Sequence, residues 1–211
     1  MSLRFTYYKD IKDKYCINYP GHCLEYIIQL RELRPYLSKK YPELQLFIAG
    51  RGEAMQFLTG YDNVLCSNDL PAKRREFGYV REIATNLSGN HPIMSFAQES
   101  GINVPNLNKS RINSESKLCI VCPEGVLPTK PMMKDQINQE IQLAIDRGYY
   151  TEIFDGDYNK LNEAGFVIGV ECAGLFEAAC RGIKTKLIPT GIGTKLFNLM
   201  FPTSVPNRIY K

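Results

Sequence analysis

Tryptophan is absent from this chain, and histidine occurs only twice, as His22 and His91. No uninterrupted apolar run approaches the roughly 20 residues that a membrane-spanning helix needs, so no membrane span is expected. The first residues, Met1-Ser2-Leu3-Arg4-Phe5, run into polar Tyr7-Tyr8-Lys9-Asp10. They lack the apolar core of a secretory signal, which sets the expectation of a cytoplasmic protein. The seven cysteines, at 16, 23, 66, 119, 122, 172 and 180, are odd in number and follow no disulfide spacing. Reduced thiols are the expectation. Cys119 and Cys122 form a lone CxxC inside an apolar run that reads as a strand, where residues three apart point to opposite faces. With no second CxxC and so few histidines, the ligand sets of zinc sites are missing. No metal and no cofactor are therefore expected, and the cysteines read as buried structural residues. No internal repeat and no low-complexity tract is present.

What is there is ordinary for a globular protein: 211 residues, 44% hydrophobic and 23% charged. The formal charge is +4, and residues 1–112 carry the excess, with 15 Lys and Arg against 11 Asp and Glu, whereas 113–211 hold 11 of each. Part of that excess is Lys73-Arg74-Arg75, which reads as a solvated loop, with a site for an anionic acceptor as the alternative. The field is too weak to imply nucleic acid from charge alone.

The hydrophobic pattern predicts alternating elements. Strands are expected at 14–19, 44–49, 63–66, 79–83, 117–122, 150–154, 166–170 and 186–188. Helices are expected from Leu24 to Leu37, at 53–58, from Asn90 to Ser100, at 133–145, at 157–163, at 172–180 and at 194–200. Pro35 should kink or split the first helix. Residues 102–116 are polar and without period, and read as a linker. The order β-α-β-α-β-α on each side of it predicts an α/β fold of two Rossmann-like parallel-sheet domains with a cleft between them. The domains are placed at 1–112 and 113–211. Ligands of open parallel sheets bind beyond the carboxyl ends of the strands, so residues following strands are the candidates.

The strongest candidate is the stretch from Phe166 to Ile188. A strand ends, Ala173-Gly174 allow close backbone approach, and a helix begins whose amides could hold a phosphate or diphosphate. Glu177 lies one turn into that helix, where a carboxylate could accept both hydroxyls of a ribose. The alternative is a glycine required for strand–helix packing and a solvated glutamate. Thr190-Gly-Ile-Gly-Thr-Lys195 is a second phosphate-loop candidate; it is not a Walker A sequence, and its glycines could simply turn a strand into the last helix. In the first half, Tyr19-Pro20-Gly21-His22-Cys23-Leu24 follows the first strand. His22 has a ring that titrates near neutral pH and could act as a general base, or it could cap or pack the helix. His91, before Pro92, reads as a helix cap or as a cleft residue.

Gly174-Leu-Phe-Glu177 and its continuation, Arg181-Gly182-Ile183-Lys184-Thr185-Lys186-Leu187-Ile188-Pro189, resemble the nucleotide-sugar site of GT-B glycosyltransferases and related sugar-nucleotide epimerases. Cys172-Ala173 stand where that family often has Ser or Thr. Ile120-Val-Cys-Pro-Glu-Gly-Val-Leu-Pro-Thr-Lys130 resembles the heptosyltransferase pattern of a strand, Pro-Gly, a loop and a lysine ahead of a helix, here with Glu124 inserted and without the tryptophan that usually follows. The resemblance implies a glycosyltransferase that moves a sugar from a nucleotide-sugar donor. It implies donor contacts from Lys130, Ala173, Gly174, Leu175, Glu177, Thr194 and Lys195, an acceptor side at Gly21 and His91, and His22 as the base by analogy with an aspartate near that place. The nucleotide sugar enters as substrate. The acceptor is left open among a glycan, a lipid-linked sugar and modified DNA. The alternatives are a sugar-nucleotide epimerase or hydrolase, and a non-catalytic nucleotide-sugar-binding module.

Overall fold

The structure, a computed structural model, describes residues 14–19, 24–83, 91–107, 115–124, 131–190 and 194–202. The chain divides into two compact units, Met1–Pro105 and Asn106–Lys211, a division that falls inside the polar linker.

The first unit holds strands β1 (Lys14–Asn18), β2 (Gln45–Gly50), β3 (Val64–Cys66) and β4 (Tyr79–Glu82), and helices α1 (Leu24–Lys40), α2 (Leu70–Lys73) and α3 (Pro92–Glu99). Its sheet has the order β3-β2-β1-β4, and every pair is parallel. A parallel strand must return to the same end before the next begins, so each connection crosses over the sheet. The residues between β2 and β3 do so as a 3-10 helix, Gly52–Leu58. Central β1 is buried from Tyr15 to Asn18, as expected of a strand covered on both faces.

Two local expectations are corrected here. Pro35 does not split the first helix, which runs unbroken from Leu24 to Lys40. Proline removes one i→i−4 bond, here to the Arg31 carbonyl. Buried Leu33 and Leu37 on either side of it hold both halves of the helix in the core. Lys73-Arg74-Arg75 are exposed, but they lie in helical backbone, at the end of α2 and in the 3-10 turn Arg74–Glu76, rather than in a loop.

The second unit holds β5 (Leu118–Cys122), β6 (Tyr150–Ile153), β7 (Phe166–Gly169) and β8 (Thr185–Leu187), with α4 (Pro131–Asp146), α5 (Ala173–Cys180) and α6 (Thr194–Met200). The sheet order is β6-β5-β7-β8, again all parallel. Strands β5 and β7 are buried at every residue, whereas edge strand β6 exposes Tyr150 and Ile153. That contrast explains why β5 and β7 read as continuous apolar runs. Helix α5 is apolar nearly all round and wholly buried. It meets α6 through Phe176 and Phe197, whose ring centroids are 5.1 Å apart.

The fold is thus α/β, with two four-stranded parallel Rossmann-like units. In the second unit the chain leaves β5 toward β6 on one side and returns to β7 on the other. The strand order therefore reverses between β5 and β7, and the crevice beyond their carboxyl ends is where such sheets bind ligands.

Candidate functional site

The reversal point is built by Cys122 and Gly169, which face each other in register at the ends of β5 and β7. A Cβ on Gly169 would lie 2.8 Å from the Cys122 Cβ, so only glycine lets the two strands end this close. Three residues after Gly169, Cys172 is the N-cap of α5, with extended backbone and no side-chain capping bond. Helix α5 makes its first intrahelical bond from Phe176 N to the Cys172 carbonyl at 3.1 Å. The amides of Ala173, Gly174 and Leu175 precede it, at the positive end of the helix dipole. A serine or threonine here would cap one of those amides with its own oxygen; the Cys172 thiol does not.

Gly174 is pressed between two neighbours. An added Cβ would meet the Cys122 Sγ at 2.9 Å and the Phe154 ring at 3.1 Å. The packing reading of this glycine is therefore correct, and close packing also brings its backbone to the end of β5. The Leu175 side chain is buried in the core, so only its main chain could serve a ligand.

Glu177 is not solvated. It is 5% exposed, and its Oε1 accepts from Arg181 Nε at 2.9 Å, four residues further along α5. The Arg181 Nη1 also donates to the Tyr158 carbonyl at 2.7 Å and to Asn162 Oδ1 at 3.0 Å. Glutamate four residues before arginine is a spacing that brings side chains together on a helix, so this pair was readable in the sequence.

Glu171, which the sequence reading passed over, is a carboxylate that accepts on both oxygens at this end of the sheet. It follows β7 and is 8% exposed. The Thr190 amide donates to both of its oxygens, at 3.1 and 3.0 Å. The hydroxyls of Thr190 and Thr194 donate to Oε2 and Oε1 respectively. Glu171 thus fastens the segment after β8 and the start of α6 to the end of β7. The signal in the sequence was a lone acid directly after a buried strand; its partners, 19 and 23 residues later, carried no local mark. Thr194 is brought to Glu171 in this way, and Lys195 beside it is exposed.

The thiols of Cys119, Cys122 and Cys172 are buried. A hydrogen bond with Cys172, and burial, push the Cys122 thiol well above its ordinary range, and burial raises Cys119 to about 12. None of the described cysteines 16, 66, 119, 122, 172 and 180 is in a disulfide.

In the first unit His91 caps α3, its Nδ1 accepting from the Ile93 amide at 3.2 Å. Its ring meets Tyr26 edge-on at 4.7 Å. Burial lowers its pKa to about 4, which keeps the ring neutral. The expected site residues Gly21, His22 and Lys130 lie outside the described residues.

No protein-family model matches the chain, and no curated protein does. Solved structures do. The bacterial iron-containing dodecameric glycosyltransferase TibC from enterotoxigenic E. coli H10407 is 14% identical, with a TM-score of 0.58, covering 82% of this chain and 57% of its own. Dodecameric iron-containing heptosyltransferase TibC in complex with ADP-D-β-D-heptose is 16% identical, with a TM-score of 0.62, covering 94% of this chain and 64% of its own. The chain thus spans about three fifths of the length of these proteins. The likeness shows the fold alone: this chain shares with these structures an α/β architecture, here two parallel four-stranded units. Those relatives contain iron. Among the described residues of this chain, no three His, Cys, Asp or Glu side chains are grouped so as to hold a metal ion. The described residues do not fit an iron centre. Among the described residues, no helix is long and apolar enough to cross a membrane.

Proposed function

We propose that this protein is a glycosyltransferase that takes a sugar from a nucleotide-sugar donor bound by its second unit. The observation that carries the reading is the start of α5. At the strand-order reversal, three helix N-terminal amides stand ahead of the first intrahelical bond, and Cys172 gives them no side-chain cap. Such an end attracts a diphosphate through its N–H groups and the helix dipole. The likeness to a heptosyltransferase fold solved with ADP-D-β-D-heptose supports a donor of that class.

In this reading the diphosphate lies on the amides of Ala173, Gly174 and Leu175, with Lys130 adding positive charge. The ribose then lies about one helical turn along, against the Glu177 carboxylate that Arg181 holds in place. His22, after β1, accepts the proton of the acceptor hydroxyl as that oxygen attacks the anomeric carbon, and the nucleoside diphosphate leaves. A neutral imidazole suits this task near neutral pH. His91 shapes the acceptor side through its cap on α3 rather than by taking a proton, since its ring stays neutral down to about pH 4.

The test is a panel of nucleotide sugars, ADP-, UDP- and GDP-linked, in thermal shift. A ligand at 100 times its dissociation constant stabilises by about 2.7 kcal/mol. A rise in melting temperature with one donor, followed by release of its nucleoside diphosphate when an acceptor is added, is the expected result. No shift with any donor overturns the reading.

A further inference from the structure

The hydrogen bonds around Glu171 determine what Thr190 and Thr194 can offer a ligand. A carboxylate only accepts, so each threonine hydroxyl that meets it must donate its single proton to it. Both do. The Thr190 amide is also committed to the same carboxylate. Each hydroxyl oxygen keeps its lone pairs and nothing to donate. Both threonines are half-buried, so they still reach solvent.

A phosphate presents only acceptor oxygens at neutral pH, and two acceptors facing each other repel. A sugar hydroxyl can donate, and so can an amide N–H. We propose that Glu171 makes Thr190 and Thr194 a pair of obligate acceptors that read a hydroxyl of the transferred sugar, so that this edge of the site selects the sugar and not the diphosphate. Glu171 is then a positioning residue: it touches no ligand but fixes the proton direction of the two side chains that do. The inference rests on the nucleotide-sugar reading given above.

The experiment measures calorimetric affinity for ADP and for ADP-D-β-D-heptose, and for UDP and UDP-glucose, with wild type, Thr194→Val and Thr194→Ser. Valine keeps the shape and removes the acceptor; serine keeps the acceptor. The expected result is a loss of about five- to tenfold for the nucleotide sugar with Thr194→Val, one hydrogen bond's worth. Nucleoside diphosphate affinity is unchanged, and Thr194→Ser behaves as wild type. Equal weakening of both ligands, or weakening of neither, overturns the inference and leaves the donor reading standing. Wild type that binds none of the four ligands overturns both.

A second arm uses wild type alone and so does not depend on how Thr194→Val folds. Deoxyfluoro analogues of UDP-glucose replace one hydroxyl at a time with a group that cannot donate. One position should lose about fivefold or more. If all the fluorinated donors bind as tightly as the parent, no sugar hydroxyl donates to the protein and the inference falls.

Discussion

Arg181 donates from Nε to Oε1 of Glu177 at 2.9 Å across one turn of α5, and from Nη1 to the Tyr158 carbonyl and the Asn162 side chain. The pair joins α5 to the segment that connects β6 with β7. It also gives the Glu177 carboxylate a fixed orientation, which a ribose-binding group needs and a solvated one lacks.

In the proposed donor site Glu177 would therefore have two separable roles, holding the ribose and pairing with Arg181. Glu177→Ala should weaken nucleotide-sugar binding at least about tenfold, a loss of about 1.4 kcal/mol. It should also lower stability by about 1–3 kcal/mol, because it leaves the Arg181 guanidinium short of a charged partner. Arg181→Met breaks the same pair and keeps the carboxylate. It should lower the melting temperature similarly while retaining most of the affinity. Calorimetric affinity measured beside melting temperature separates the two roles. If both variants lose affinity equally, the carboxylate acts only through the fold.

Gly174→Ala tests the close approach at the start of α5. The new methyl group would lie 2.9 Å from the Cys122 Sγ and 3.1 Å from the Phe154 ring, and overpacking of this kind costs about 1–3 kcal/mol. Donor affinity should fall as well, since the displaced residues carry the amides proposed to hold the diphosphate. Denaturant melts and a donor titration read the two effects. A variant as stable as wild type would mean that the contact relaxes without cost.

His91 makes stability depend on pH. Its pKa is held at about 4 in the folded chain against 6.5 ordinarily, so between those values the unfolded chain binds more protons. The contribution is therefore complete above about pH 6.5 and lost as pH falls toward 4. A shift of that size corresponds to about 3 kcal/mol. His91→Asn keeps a good N-cap residue and does not titrate. Urea melts at pH 7, 5.5 and 4 should show wild type losing more stability than His91→Asn. Parallel losses in the two proteins would remove His91 as the cause.

Lys186 on β8 and Glu140 on α4 form a pair at 3.5 Å, with side chains only 3% and 7% exposed. Glu140→Leu alone should cost about 3–5 kcal/mol, because it replaces the carboxylate paired with a buried ammonium by an apolar group. Glu140→Leu combined with Lys186→Met should recover most of that loss, since a buried pair is often no better than apolar side chains of similar volume. Chemical denaturation of the two single variants and the double variant closes the cycle. A double variant as unstable as the sum of the singles would show that the two charges act independently.

His22→Ala should lower turnover by about 10²–10⁴-fold, the usual worth of a general base, and leave donor affinity unchanged. Initial rates at saturating donor, with affinity measured separately, distinguish these effects. Wild-type turnover in the variant would move the search for the base to carboxylates such as Glu25.

The alternation of strands and helices was legible in the sequence because it is a local matter. Leu118–Cys122 and Phe166–Gly169 are apolar at nearly every position, as strands covered on both faces must be, and glycines and prolines mark most of the breaks between elements. The turn from β7 into α5 was legible for the same reason: small residues after a buried strand, then a helical run. Strand order and buried partnerships were decided only by the tertiary fold. Glu171 gains its meaning from Thr190 and Thr194, which reach it because β8 lies beside β7. Lys186 on β8 and Glu140 on α4 are far apart in the chain, and only the fold brings them together. Pro35 reads as a break until buried Leu33 and Leu37 hold the helix together across it. In each case the deciding free energy belongs to groups far apart in the chain, and a window of neighbouring residues contains only one of the two partners.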